Sequence, residues 1–276
     1  MKSHQISRYL QEFKGTKLSP NILEELSQLK KVAVDQGDQE EAKNIWCLEQ
    51  VYKVIHHFIT AYKQLVDKEY FEAWCELDRA DIKLHFLRKH LNYTENKYNL
   101  KFIEKCIFQL QKLFPYKYFF SREATVKNWT CSICNQVIKL RHSCNHKVGE
   151  IYNGELCFRN ARDIKFLGVA LVTNPFDKYT VIFPEDKEYN YVMLEDLIKY
   201  WKSPYEKWEL LSIEELNDEY KNLKRNDPCI CNSGEKYKKC CLKTGEDKYI
   251  HYKVLFMEKN QMDIKYKQKI VNTWIN

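Results

Sequence analysis

Glycine and proline are scarce, seven and six in 276 residues. So few chain breakers exclude a low-complexity or collagen-like chain and favour helix-rich architecture with few long loops. Apolar runs approaching 18 residues are absent, so no membrane span is expected. A charged-then-apolar leader is absent too, which argues against a secretory signal. The G-x4-G-K-[ST] phosphate loop, H-E-x-x-H, G-x-S-x-G and a glycine-rich dinucleotide loop are all missing, and with them the common hydrolase and nucleotide-enzyme signatures. Residues 1–220 lack net charge, with 32 basic and 32 acidic side chains. The final 56 residues carry 13 against 6, so the whole formal charge of +7 lies there. Cysteine is plentiful at eleven. In a chain with no expected export signal these thiols read as metal ligands and buried groups in a reducing cytoplasm.

Hydrophobics at 44% and aromatics at 14% suffice for a packed core. Ser19 and Pro20 predict a helix start, followed by Ile22, Leu23, Leu26, Leu29 and Ala33 at helical spacing and closed by Gly37. Asp38 with Glu41 forms a capping-box pattern. From there Ile45, Leu48, Val51, Ile55, Phe58, Ile59, Tyr62 and Leu65 hold one stripe. Further helices are expected from about Glu69 to Leu91 and from Leu100 to Leu113, stopping before Pro115. Residues 1–18 decide little. Cys47, Cys75 and Cys106 fall in these stripes and read as inert core thiols. His56, His57, His85 and His90 lack metal-pair spacing.

The texture changes at Trp129. Cys131, Cys134, Cys144 and His146 are spaced C-x2-C-x9-C-x-H, the pattern of a zinc knuckle or ribbon. His142 and Cys157 are alternatives for the fourth ligand. Asn153-Gly154 between two short apolar runs signals a hairpin. Phe166–Thr173 and Tyr179–Phe183 read as strands, with Asn174-Pro175 as a turn. Met193–Trp201 reads as a short helix, Ser203-Pro204 as the start of another, and Ser212 with Glu215 as a third, running to Tyr220. Tyr249–Met257 alternates like a strand, and Ile264–Ile275 is expected as a terminal helix.

Between these last elements lies RNDPCICNSGEKYKKCC, residues 225–241, with thiols at Cys229, Cys231, Cys240 and Cys241. The C-x-C-x8-C-C spacing can close one tetrahedral zinc site, and Asn232-Ser233-Gly234 lets the chain double back. Lys236, Lys238 and Lys239 offset the charge of four thiolates around a divalent ion. The run resembles the SEC-C motif, the zinc-binding segment at the C-terminus of the SecA translocase motor. Arg225, Asn226, Asp227, Pro228, Ser233, Gly234, Lys236, Tyr237, Lys238 and Lys239 match alongside the four cysteines. Ile230, Asn232, Glu235 and Leu242 depart from the pattern, none at a ligand position, and Cys241 stands where SecA has histidine.

These readings predict an α+β protein in three parts. They are a helical domain at 1–120, a zinc-knuckle β unit with trailing helices at 121–222, and a basic SEC-C-like tail at 223–276. The expected function is a cytoplasmic adaptor with two structural zinc ions and no catalytic residues. The resemblance implies a macromolecular partner, a protein or a ribosome, held through Arg225, Lys236, Lys238 and Lys239. The alternative is a nucleic-acid-acting enzyme, a zinc-stapled nuclease or toxin in phage defence. In that alternative the basic tail would grip backbone phosphates. Separately, C-x2-C…C-x-H…Y-x-G-x2-C is loosely similar to zinc segments of phage-associated bacterial proteins, a likeness from which no function is carried.

Overall fold

The computed structural model describes residues 2–139, 141, 144–256, 263–265 and 274–275. The expected α+β class is what it shows. Two compact units form, residues 1–188 and 189–276, with the boundary inside the short strand β6 (Glu188–Tyr189).

Five helices form the core of the first unit: α1 (Ser3–Glu12), α2 (Asn21–Asp35), α3 (Gln39–Val66), α4 (Tyr70–Leu87) and α5 (Leu100–Leu113). The Asp38 side chain accepts from the Glu41 N–H, so the cap of α3 is as the sequence predicts. Gly37 takes a φ of +74°, which a side chain would resist. Helix α3 is the axis of the unit. Its stripe is wider than one face: Ile45, Trp46, Cys47, Leu48, Glu49, Gln50 and Val51 are consecutively buried. The reason is that α1, α2, α4 and α5 all pack against it. One buried carboxylate on α3 is paired across helices, where Lys30 Nζ meets Glu49 Oε2 at 2.9 Å. Burial raises the Cys47 thiol to about 11 and the Cys106 thiol to about 12, consistent with inert core positions. His57 Nδ1 bonds Glu76 at 2.6 Å and His56 is exposed.

A ribbon then leaves the helices. Strand β1 (Phe119–Cys131) pairs antiparallel with β5 (Arg159–Val172) along its full length, with a bulge between Glu123 and Ala124. The short β2 (Val137–Ile138) joins β1 near its end. Strands β3 (Ile151–Tyr152) and β4 (Glu155–Leu156) make the Asn153-Gly154 hairpin. Asn153 and Gly154 both have positive φ, 50° and 66°, which a two-residue turn of this hand requires. Both ribbon ends are fastened to helices. At one end Trp74 packs against Phe114, Tyr116 and Phe119 and donates to the Lys178 carbonyl at 2.6 Å. At the other, Lys30 bonds Glu155, Gln39 bonds Asn153, and His90 Nε2 meets the Gly149 carbonyl at 2.9 Å. Of the Tyr179–Phe183 strand, a single bridge, Val181 to Phe119, is formed.

The second unit departs from expectation. Helix α6 (Val192–Tyr200) forms where predicted, and Trp201 packs edge-on against Trp208. No helix follows Ser203-Pro204, and the Ser212–Tyr220 helix is replaced by strand β7 (Trp208–Leu216) and one 3-10 turn (Asp218–Tyr220). The partner explains it: β8 (Lys248–Phe256) pairs with all nine residues of β7. Such long-range pairing outweighs a local capping pattern. Strand β9 (Asp263–Lys265) continues the sheet on β8. Within the stretch expected as a terminal helix, residues 264–265 and 274–275 are strands, and the rest lies outside the described residues. Among the described residues no helix is long and apolar enough to cross a membrane.

Candidate metal centres

The stretch between β7 and β8 is not a loose tail, because the sheet holds both its ends. Leu216 pairs with Lys248, and the Asn217 N–H donates to the Asp247 carbonyl at 2.8 Å. Within the loop Pro228 bridges Lys236, and Cys229 N–H donates to the Glu235 carbonyl at 2.8 Å. Asn232 and Gly234 adopt positive φ, 63° and 77°, so the chain reverses where the sequence places turn residues. A 3-10 turn (Tyr237–Lys239) then leads into the short helix α7 (Cys241–Thr244) and delivers Cys240 and Cys241.

The donor atoms of Cys229, Cys231, Cys240 and Cys241 all lie within 4.8 Å of one another. Cys231 and Cys240 sulfurs are 3.4 Å apart, and Cys240 and Cys241 sulfurs 3.9 Å. A tetrahedral ion with metal–sulfur bonds of about 2.3 Å sets its sulfurs about 3.8 Å apart. The spacing suits one ion. Cys229 and Cys241 are buried, whereas Cys231 is exposed. The Ser233 hydroxyl, the Ser233 N–H and the thiols of Cys229 and Cys240 favour the Cys231 thiolate and lower it to about 6. That is the form a metal takes.

Two residues beyond the motif complete the centre. Tyr220 donates its hydroxyl to Cys241 Sγ at 3.5 Å and packs its ring on Tyr237. The Tyr237 hydroxyl in turn donates to the buried Asp247 carboxylate. Together Tyr220, Cys229, Tyr237 and Cys241, with Leu216 and Leu223, form a small core of the second unit. Sequence spacing carries no signal for either partner. Tyr220→Phe is expected to keep this core but weaken metal affinity about ten-fold, as loss of an outer hydrogen bond to a ligand does. Competition with a colorimetric chelator measures it.

The second cluster sits where β1 ends. Cys131 closes the strand, and a turn with Asn135 at φ 59° brings Cys134 back. Asn135 N–H donates to the Cys131 carbonyl at 2.9 Å. Cys131, Cys134, Cys144 and His146 again have donor atoms within 4.8 Å of one another. Cys131 Sγ is 3.8 Å from His146 Nδ1, and the His146 ring rests edge-on against Tyr152. Burial opposes ionisation of Cys131, but N–H groups of Cys134 and Ile133 and the Cys144 and Cys134 side chains prevail, lowering it to about 6. Cys157, an alternative ligand by sequence, lies with its sulfur 3.9 Å from that of Cys131. It is buried at the cluster's edge, outside the set of four. His142 lies outside the described residues.

Both clusters could therefore hold a metal ion. Arg225, Lys236, Lys238 and Lys239 are exposed around the first, where the Lys238 N–H bonds the Arg225 carbonyl at 3.0 Å. Residues 225–243 match the family profile of the SEC-C motif, and the rest of the chain has no family assignment. No curated protein and no solved structure matches the chain significantly.

Proposed function

We propose, from a SEC-C segment gathered on a sheet, that this chain is a zinc-dependent adaptor. Each cluster offers four protein donors, mostly thiolates, a set that favours zinc and leaves no open coordination position for a reacting water. Zinc in each would be structural. Cys229, Cys231, Cys240 and Cys241 would hold one ion, and Cys131, Cys134, Cys144 and His146 the other. The convergence of the first four sulfurs on a clamped loop is the observation that carries this reading.

With the loop folded, Arg225, Lys236, Lys238 and Lys239 are each exposed to solvent, and together they would offer a basic surface. That surface suits an acidic protein partner, in line with the contacts associated with SEC-C segments. Four cations at this density also attract nucleic acid, so ionic strength is the discriminating variable. The test is a pull-down comparing the intact chain with Arg225→Glu, Lys238→Glu, Lys239→Glu. A captured protein lost in the variant and insensitive to nuclease treatment supports the adaptor. Capture of RNA or DNA alone, with affinity falling steeply as salt rises, overturns it in favour of the nucleic-acid reading.

A further inference from the structure

Paired residues of an antiparallel ladder place their side chains on one face. One face of the β1–β5 ribbon thus carries Phe120, Arg122, Ala124 and Val126, opposite Leu171, Val169, Phe166 and Ile164. The reverse face carries Ser121, Glu123 and Thr125, opposite Ala170, Gly168 and Lys165, with Leu167 at the bulge as its one large exposed apolar side chain. The ribbon is amphipathic, yet its apolar face is the one left in water. Phe120 is 48% exposed, Ile164 61%, Phe166 58%, Val169 55% and Leu171 63%. With Ala124 and Val126 they leave a continuous patch of roughly 500–600 Å² of apolar surface, the upper end of what a monomer ordinarily displays.

We propose that this face is a dimer interface, covered by the same face of a second copy. First, the pattern is self-complementary. A two-fold axis near the bulge between Glu123 and Ala124 sets Phe120 and Leu171 over the other copy's Val126 and Ile164. The same axis sets Phe166 over Val169. Secondly, the area is adequate. A stable interface buries about 600–1,000 Å² per partner, and the patch lies at the lower edge of that range. Thirdly, the charge is already settled. Arg122 is the single ionisable residue within the stripe, and its guanidinium is bonded to Asp177 at 3.0 Å and Tyr179 at 3.1 Å. Closure therefore strands no unpaired charge. Face-to-face packing of two such ribbons gives the ordinary sheet separation of about 10 Å. Pairing through the outer edge of β5 would instead leave the apolar face wet. A lone, partnered arginine is also too little charge for a phosphate backbone.

The full-length, zinc-loaded chain should sediment as a concentration-dependent dimer. Ile164→Glu with Phe166→Glu should weaken it about thirty-fold or more, the loss typical when central apolar anchors are removed. Lys165→Glu, on the reverse face of the same strand, should leave the dimer intact. Far-UV circular dichroism and metal content, unchanged in both variants, show that folding is not the cause. A chain that stays monomeric at its highest soluble concentration overturns the proposal. So does a dimer that survives the double substitution, or one that Lys165→Glu disrupts equally. The metal and adaptor readings are untouched by any of these results.

Discussion

Cys241→Ser is expected to lose one of two metal ions and to melt the loop between β7 and β8 while the helical unit stays folded. Cys241 is 1% exposed and touches Tyr220, while its sulfur lies 3.9 Å from that of Cys240. A buried serine there can neither match the thiolate nor satisfy its own hydroxyl. The stakes are large because structural zinc contributes on the order of 10 kcal/mol of apparent binding free energy at neutral pH. The loop core otherwise rests on Tyr220, Tyr237, Leu216 and Leu223. Elemental analysis should fall from about two ions to about one, with loss of near-ultraviolet tyrosine signal. Two retained ions would show that Cys241 is not a ligand. Unfolding of both units together would show that the loop supports more than itself.

The second large effect is expected at Trp74. Its ring is 5% exposed and lies among Phe114, Tyr116 and Phe119, the residues that root the ribbon in α4 and α5. Its indole N–H also satisfies the Lys178 carbonyl. Trp74→Ala removes both packing and donor, so a loss of about 3–5 kcal/mol is expected in urea unfolding. Trp74→Phe keeps much of the packing and should cost less. Equal losses for the two would place the effect in the hydrogen bond rather than the cluster.

The metal donors were legible because ligand spacing is local: Cys131 with Cys134, and Cys229 with Cys231, sit within one turn of chain. The helices were legible because Ile45 to Leu65 repeats at a period that needs no partner. What escaped depends on distant chain. Ser212 and Glu215 imitate a helix start, but Ser212 faces Tyr252 and Glu215 faces Tyr249 across a ladder closed 34 to 40 residues later. Strand β1 was hidden by interleaved Arg122, Glu123 and Lys127, polar because most of the ribbon is solvated. The Phe166–Thr173 run was legible as a strand, although its apolar content belongs to an exposed face. Tyr220 and Asp247 act on the centre from outside its motif, where no spacing rule reaches.

The clamping of the SEC-C loop by β7 and β8 makes it a cassette. Its two ends leave and return through neighbours on adjacent strands, Leu216 and Lys248, so the stretch is topologically an insertion in a plain hairpin. A tight turn could stand in its place without displacing either strand. By the same geometry, the excised stretch could be grafted onto an exposed hairpin of like register and carry its four clustered thiols with it.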